Sequence, residues 1–374
     1  MDSSRAVVTP PYVAGPFRLD PFRALMLSPS RVGDPASARA FARPYRNVAR
    51  RLERWEQQGH VNRDPEPAVY LHEYAAMGMT VRGLVGALNL SSRADQPGER
   101  VVYPHEGIHP VQAAELADRM TEMGMNPAPI LLVHRGPAPV RELLGSVIAR
   151  GADHEFDDRN GDHHRIWTIR DTETCTDLAG LLAGSRALLA DGHHRYAAYL
   201  RMQEASPGTA ADRGLAMLVD QDDTPLFLGA IHRVLVGTTL EAVHKAATSF
   251  GAFTARRSAD AVAALAPGTL VVTDGTDWAT LALDLPAGKA AVEVLHDSVV
   301  PALEKQPVRV DHHHSVDDTL AHLPRSGGVA VLMPAIEFDT VQRIVGGDRL
   351  LPEKATSFQP KPSMGALMRS LRDE

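Results

Sequence analysis

The stretch at residues 186–202, RALLADGHHRYAAYLRM, constrains the fold more than any other part of the chain. Its apolar run at residues 187–190 predicts a buried strand, and the pattern after Gly192 predicts a helix. A strand that ends at Asp-Gly and opens directly into a helix creates an anion-binding site. The first N–H groups have no partner within the helix, the macrodipole places partial positive charge there, and glycine lets a ligand oxygen approach the backbone closely.

Three cation-capable residues, His193, His194 and Arg195, lie in the first turn of the predicted helix. Positive charge at a helix N-terminus opposes the macrodipole, which suggests that a bound anion offsets it. The residues alone also allow a second interpretation, in which Asp191 caps the helix and the histidines are solvated. The local pattern does not decide between the anion site and the capped helix.

The string DGHHRYAAY at residues 191–199 resembles the phosphate-binding turn of the ParB/sulfiredoxin superfamily. The longer string ADGHHRY is characteristic of domain-of-unknown-function family 1015, a bacterial group related to free-serine kinases, and in this string the chain resembles that family. The resemblance implies a mixed α/β (α+β) fold. It would have a ParB/sulfiredoxin-like nucleotide-binding core with a mixed sheet, plus a second, smaller α/β domain.

Two further blocks carry the same resemblance. Pro-His-Glu at residues 104–106 precedes a predicted helix that contains Asp118 and Arg119. The segment LPEKATSFQPKP at residues 351–362 resembles the family's C-terminal Pro-x-Lys-Ser-Thr-x-Phe-x-Pro-Lys block, with Ala355 where serine is usual. The resemblance therefore extends well beyond the turn at residue 191.

Bulk properties exclude several classes of protein. The net charge of −7 and the pI near 6.2 leave no global basic field for nucleic acid. No stretch of roughly twenty apolar residues predicts a membrane span, and the N-terminus lacks the apolar core of a signal peptide. The single cysteine, Cys175, excludes an internal disulfide and a cysteine-rich zinc site. These features predict a protein of the cytoplasm.

Strand and helix patterns predict two domains and a tail. Residues 1–206 contain a hairpin at 68–90 and then alternate strands and helices, which favours a partly parallel sheet. A Ser-Pro-Gly stretch at residues 206–208 predicts the boundary to a second α/β domain at 207–350. The tail at 351–374 is predicted to return to the active-site cleft.

These features predict phosphoryl transfer, which depends mostly on positioning and charge stabilisation. The resemblance implies a small-molecule kinase that uses ATP or ADP and a hydroxyl acceptor, most of all free L-serine, to give O-phosphoserine. The predicted catalytic residues are Glu106 or Asp191 as the base and His194 as a proton donor. The predicted nucleotide- and phosphate-binding residues are Gly192, His193, Arg195, His105, Arg119, Lys354, Thr356 and Lys361. Magnesium is the predicted cofactor, bound through the nucleotide and one of the two carboxylates.

The residues also allow other functions. Pro-Pro-Tyr at residues 10–12 resembles a Pro-Pro-Tyr-Asp element of the family, but Val13 replaces the aspartate. This change fits a catalytically inactive, nucleotide-gated binding or regulatory protein. Three histidines at residues 312–314 invite a metal-dependent hydrolase, although neighbours on a strand point to opposite faces and at most two could share an ion. The acidic cluster at residues 157–162 lacks EF-hand spacing and predicts a hairpin tip.

Arg195 and Lys354 are predicted to face one phosphate-binding cleft. One helix terminus with one arginine leaves much of the charge of a polyphosphate uncompensated. The segment at 351–362 offers Lys354 and Lys361 on a proline-fixed, extended backbone, which presents them at low entropic cost. The tail is therefore predicted to close the site, with the charged groups on the order of 10 Å apart.

Overall fold

The computed structural model describes residues 7–42 and 48–373, which fold into two compact units. The first unit comprises the described residues of Met1–Leu226 and Pro360–Glu374, and the second comprises Phe227–Gln359. The boundary follows Leu226 instead of lying near residue 206, because the strand Arg213–Asp220 pairs with two strands of the first unit. Strands and helices are numbered along the chain.

Nine strands of the described chain form one mixed sheet in the first unit. In their order across the sheet, the strands are β6 (Val102–Pro104), β11 (Ala187–Asp191), β8 (Ile130–His134), β12 (Arg213–Asp220), β5 (Met79–Asn89), β4 (Val69–Ala76), β10 (His163–Ile169) and β9 (His154–Asp157), with β1 (Leu19–Asp20) paired to β5. The pairs β6–β11 and β8–β12 are parallel, and the other pairs are antiparallel. The predicted α/β class with a mixed sheet is confirmed.

The edge of this sheet beside β6 and β11 positions the candidate site. These strands are parallel, with Ala187 opposite Val102 and Leu189 opposite Pro104. Their carboxyl ends therefore meet, and the residues that follow each strand lie together. Since β8 runs antiparallel to β11, the start of β8 at Ile130 lies at the same edge.

Six helices of the described chain belong to the first unit. They are α1 (Pro35–Ala42), α2 (Val48–Gln57), α3 (Pro110–Met123), α4 (Ala138–Ile148), α5 (Thr172–Leu182) and α6 (His193–Ala205). Helix α3 begins with a proline, whose missing N–H would have no helical partner there, and ends at Gly124 in the left-handed conformation. Helix α6 packs against α3 and buries Tyr196 and Tyr199 in the main core.

The C-terminal segment completes a second sheet of the first unit. This sheet contains β3 (Val61–Arg63), β2 (Ala24–Leu27), β21 (Met368–Ser370) and β7 (Met125–Asn126), in that order. Strand β21 pairs with both β2 and β7. Residues from Pro360 onward therefore return to the first unit, whereas residues 351–359 of the predicted tail belong to the second.

The second unit is built on an antiparallel sheet. The strands, in order, are β15 (Gly251–Arg256), β17 (Trp278–Leu283), β16 (Thr269–Thr273), β19 (Val329–Leu332), β14 (His232–Val236) and β18 (Arg309–His313). A separate pair is formed by β13 (Phe227–Gly229) and β20 (Ser357–Gln359). The helices of the second unit are α7 (Leu240–Ala247), α8 (Ser258–Ala263), α9 (Ala291–Val294), α10 (Val316–Ser326) and α11 (Phe338–Gly346). Helix α9 continues as a π-helical turn at Leu295–Val299.

Two local predictions are confirmed. Strands β4 and β5 form the predicted hairpin, and the acidic cluster at residues 157–162 is the tip of a second hairpin between β9 and β10. Across the described ranges, no helix is long and apolar enough to cross a membrane.

Candidate functional site

The turn between β11 and α6 has the geometry expected of an anion-binding loop. Gly192 adopts the left-handed conformation, with φ of 89° and ψ of 32°, and forms the N-cap of α6. A side chain at this position would be strained, and its Cβ would lie 3.0 Å from Nε of Arg195. The N-cap is Gly192, and the carboxylate of Asp191 pairs with Arg195 and Lys361, so Asp191 is not a simple helix cap. The first-turn N–H groups have no partner within the helix.

Asp191 lies between two cations. Its Oδ2 accepts a hydrogen bond of 2.6 Å from Arg195, and its Oδ1 pairs with the ammonium group of Lys361. Arg195 also donates to the carbonyl oxygen of Pro129 at 2.5 Å. Burial opposes ionisation of Asp191, but Arg195 and Lys361 outweigh it and hold the pKa of the carboxyl below its ordinary value. The carboxylate therefore stays charged and holds both cations in place.

These charged groups border a cavity of about 350 Å³ within the first unit. Of the described residues, three cations and one carboxylate line it: Arg119, Arg195, Lys361 and Asp191. The remaining wall is apolar and includes Phe41, Leu116, Met120, Met123, Leu131 and Met364. A cavity with one apolar wall and an excess of positive charge at its border fits a ligand that is apolar at one end and anionic at the other.

The backbone beside the cavity offers few groups to a ligand. Pro127 and Pro129, which line the cavity, have no N–H. The carbonyl oxygen of Ala128 accepts from the hydroxyl of Tyr199 at 3.1 Å, and that of Pro129 accepts from Arg195. Contact with the apolar part of a ligand therefore comes mainly from side-chain packing.

A second cluster surrounds His193 at the same edge. His105 follows β6, and its Nδ1 donates to the carbonyl oxygen of Leu189 at 2.7 Å, while its backbone N–H points to Nε2 of His193 at 3.4 Å. The Nε2 of His105 lies 3.7 Å from Oε1 of Glu106. Parallel pairing of β6 with β11 brings these residues together.

His193 is buried in the fold, and this burial decides its charge. Burial lowers the pKa of this imidazole to about 3, with a further contribution from His105, although Glu106 and Asp191 both act in the opposite direction. His193 is therefore neutral at pH 7 and does not oppose the helix macrodipole. Its neutral ring accepts the backbone N–H of His105 and so contacts the loop that carries Glu106.

His194, the residue after His193, contacts the loop that follows β6. Its Nε2 accepts the backbone N–H of His109 at 3.0 Å, and the two imidazole rings stack with centroids 5.9 Å apart. The other ring nitrogen, Nδ1, is thereby the proton-bearing one in the neutral form. Donation from Nδ1 remains the predicted catalytic role of His194.

Arg119 reaches the cavity from α3. It also pairs with Glu115 at 3.0 Å across one helical turn. Two other predicted phosphate contacts, Lys354 and Thr356, belong to the second unit, where the carbonyl oxygen of Lys354 accepts a 2.9 Å hydrogen bond from Arg233. The predicted pairing of Arg195 with Lys354 stays a prediction, whereas Lys361 of the same segment lies against Asp191.

The histidine run at residues 312–314 lies in the second unit. His313 is opposite His232 in the β14–β18 pair, and its ring centroid is 4.6 Å from that of His322. His314 contacts the hydroxyl of Ser357 at 3.1 Å. Within residues 7–42 and 48–373, no group of three histidine, cysteine or acidic residues could hold a metal ion.

Sequence reasoning missed the apolar wall of the cavity. Met120 and Met123 on α3 follow an ordinary helical core pattern, and Phe41 and Met364 are far from them in sequence. The one local signal was Pro127-Ala-Pro129 directly before β8, where two prolines leave the backbone without donors.

Several solved structures are similar to this chain at low sequence identity. Among solved structures, SbnI with C-terminal truncation from Staphylococcus aureus is 12% identical with a TM-score of 0.44, and the match covers 78% of this chain and 90% of that chain. A conserved hypothetical protein from Pyrococcus furiosus is 14% identical with a TM-score of 0.39, covering 73% and 93%. A variant of a free serine kinase in complex with ADP is 14% identical with a TM-score of 0.41, covering 71% and 89%.

No curated protein matches the chain. A sequence model of the family described as "Protein of unknown function (DUF1015)" matches residues 16–306. This match covers most of the chain and includes both strands that end at the candidate site, β6 and β11. The protein therefore belongs to the DUF1015 family.

Proposed function

We propose that the first unit binds ATP or ADP in the cavity beside the β11–α6 turn. The observation that carries this proposal is the arrangement of Arg119, Arg195 and Lys361 around an apolar cavity at a helix N-terminus. The base and ribose would pack on the apolar wall, and the phosphates would contact the cations and the first-turn N–H groups of α6. Arg195 would bind phosphate oxygens through two N–H donors.

The cation pair is preorganised by a carboxylate. Arg195 and Lys361 both contact Asp191, so they are held close together before any ligand arrives. Phosphate oxygens would compete with Asp191 for these donors, because both are oxyanions of similar hydrogen-bonding geometry. Less ordering is then needed on binding, which favours affinity.

Phosphoryl transfer to a small-molecule hydroxyl is the reaction we propose for this site, with free L-serine as the acceptor that the family's relation to free-serine kinases implies. A base must accept the proton of the acceptor hydroxyl. Glu106 suits this role better than Asp191, because Asp191 is ion-paired with two cations and its pKa is lowered. His105 lies beside Glu106, and its bond to the Leu189 carbonyl fixes the imidazole ring.

Magnesium fits as a cofactor carried by the nucleotide. The chemistry that it would supply is neutralisation of phosphate charge. Asp191 and Glu106 are the carboxylates that could each provide one oxygen ligand, and magnesium commonly takes only one or two from the protein. Since no three-ligand cluster exists among the described residues, most of the coordination would come from phosphates and water.

A nucleotide-gated binding protein without catalysis is the second candidate. Val13 is only 2% exposed and packs in the main core of the first unit. This position therefore presents an apolar group where the resembling family element has a carboxylate. Such a protein would use the same cavity and would bind nucleotide without turning it over.

Wild-type protein is expected to bind ADP or ATP with magnesium. At a ligand concentration about 100 times the Kd, binding stabilises the folded state by about 2.7 kcal/mol, which corresponds to a Tm increase of about 5 °C. Adenosine, which lacks phosphates, is the control and should give a much smaller shift. A thermal-shift panel followed by calorimetry tests this. Absence of any shift at millimolar nucleotide would contradict both candidate functions.

Removal of transition metals is expected to leave the nucleotide site intact. Thorough chelation and dialysis should reduce phosphoryl transfer only until magnesium is returned, because the predicted metal travels with the nucleotide. Activity assays with added magnesium or zinc measure this. Restoration by zinc and not by magnesium would instead favour a metal-dependent hydrolase that uses the histidines at 312–314.

A further inference from the structure

Lys361 depends on its backbone for its position. Its side chain is 47% exposed, and its described carboxylate partner is Asp191. A half-exposed lysine loses considerable rotamer freedom when it is held in one ion pair, so the pair alone fixes it weakly. Contacts on the segment at residues 360–363, called here the lysine arm, must therefore set where the ammonium group lies.

Tyr74 contacts the lysine arm directly before Lys361. It lies on β4, is 1% exposed, and its hydroxyl donates to the carbonyl oxygen of Pro360 at 2.7 Å. Burial raises the pKa of this phenol well above its ordinary value. The hydroxyl therefore stays protonated at neutral pH and acts as a donor.

Asp158 contacts the lysine arm two residues after Lys361. Its Oδ2 accepts a 2.9 Å hydrogen bond from the hydroxyl of Ser363, and its Oδ1 accepts the N–H of Asn160 at 2.7 Å and that of Asp162 at 3.1 Å. Burial opposes ionisation, but these hydrogen bonds outweigh it and lower the pKa of Asp158. The anchor is therefore a buried, charged acceptor, which forms a stronger bond than a neutral one.

His164 on β10 lies beside both anchors. Tyr74 is directly opposite His164 in the β4–β10 pair, and Nε2 of His164 lies 3.4 Å from Oδ2 of Asp158. Behind it, Nδ1 of His164 is 2.9 Å from Nε2 of His72, whose pKa burial lowers to about 3. Tyr74, His164 and His72 are therefore packed together in the buried interior of the sheet.

We infer that Tyr74 and Asp158 are positioning residues that hold the lysine arm on both sides of Lys361 and so place its ammonium group at the cavity. Their effect on ligand affinity rests on the proposed nucleotide site. Neither residue lines the cavity itself, whereas the lysine arm contributes Lys361 and Pro362 to its lining, of which Lys361 carries the charge. This inference gives a role to the buried group formed by Tyr74, His164 and Asp158, which the proposed phosphoryl transfer does not use.

The test uses Tyr74→Phe and Ser363→Ala, each alone and combined with Lys361→Ala. Each single change removes one hydrogen bond to the lysine arm and is expected to raise the Kd for ADP about 3- to 10-fold. In the Lys361→Ala background, the same changes should alter the Kd less than about 2-fold, because the group that they position is gone. Equal effects in both backgrounds would overturn the inference.

Tyr70→Phe is the matched control. Tyr70 lies on the same strand and is fully buried, and its hydroxyl contacts two acceptors, Oδ2 of Asp64 at 2.9 Å and the carbonyl oxygen of Phe22 at 3.2 Å. Its partners lie outside the lysine arm. Tyr70→Phe is expected to lower Tm as Tyr74→Phe does but to leave the Kd for ADP unchanged. A Kd increase equal to that of Tyr74→Phe would mean that general destabilisation explains both.

A second measurement needs no nucleotide. Acetylation of Lys361 by an N-hydroxysuccinimide ester, followed by mass spectrometry, reports how firmly its ammonium group is held. Tyr74→Phe and Ser363→Ala should each accelerate it about 3-fold or more, while Lys245, an exposed lysine paired with Glu304, serves as the internal reference. If ADP does not bind but acetylation accelerates, the proposed function fails and the positioning role stands. Unchanged acetylation would overturn the inference whatever the nucleotide result.

Discussion

Replacement of Glu106 by glutamine is expected to lower kcat for phosphoryl transfer about 10²- to 10⁴-fold while the Kd for nucleotide stays within about 2-fold. The reason is that a general base acts on the acceptor hydroxyl in the transition state, whereas Glu106 is not among the residues that line the proposed nucleotide cavity. Glutamine keeps the size of the side chain and can still contact His105. Single-turnover assays with ATP or ADP and L-serine, together with calorimetry, separate the two effects.

Two further variants sharpen this experiment. Glu142→Gln, on the exposed face of α4, is a control for the loss of one carboxylate and should change neither constant. Asp191→Asn tests the other candidate base. A larger loss of kcat in Asp191→Asn than in Glu106→Gln would reassign the base to Asp191. Parallel losses of kcat and affinity in Glu106→Gln would give Glu106 a structural or metal-binding role. Absence of turnover in wild-type protein that binds nucleotide would favour the nucleotide-gated candidate.

Replacement of Arg195 by alanine is expected to weaken binding of ADP and ATP about 10- to 100-fold, since hydrogen bonds to charged groups contribute about 1.5–3 kcal/mol. Arg195 lines the cavity from the first turn of α6, and its guanidinium is already directed by Asp191 and Pro129. Binding should also depend less on salt in the variant, because one cation has been removed. Calorimetry at two salt concentrations measures both effects.

Arg141 provides a matched control for Arg195. It too donates to one carboxylate, that of Asp220 at 2.6 Å, and to one backbone carbonyl, that of Gly136 at 2.7 Å. It is exposed to a similar extent, 31% of its side chain against 24% for Arg195. Arg141→Ala should therefore lower stability comparably without changing nucleotide affinity. Similar Kd values for Arg195→Ala and wild-type protein would contradict a phosphate site at this turn.

The turn at residue 191 could be predicted because its determinants are local. A strand, a glycine and a helix follow one another in the sequence, and backbone geometry then dictates where the orphan N–H groups lie. The β4–β5 hairpin and the start of α3 at Pro110 were predictable for the same reason. Family membership also followed from short contiguous strings, chiefly ADGHHRY.

The composition of the cavity was decided only by tertiary structure. Phe41, Met123 and Met364 come from three distant parts of the chain, and no periodicity records which core residues leave a gap between them. The domain boundary follows Leu226 for a related reason. The strand Arg213–Asp220 belongs to the first unit because of the strands with which it pairs, and its own sequence pattern does not specify those partners.

The protonation states of His193 and Asp191 could be inferred only from the folded chain. The sequence places His193 and Arg195 directly after an Asp-Gly turn and Lys361 in the block at residues 351–362. It does not show how far each side chain is removed from water. In the fold, burial keeps His193 neutral, while Asp191 stays ionised because Arg195 and Lys361 approach it from different segments. A pKa depends on the surrounding dielectric and on charges within a few ångströms, and both come from residues far apart in sequence. The sequence therefore determined the turn between β11 and α6 itself, and tertiary structure decided which cations lie beside it.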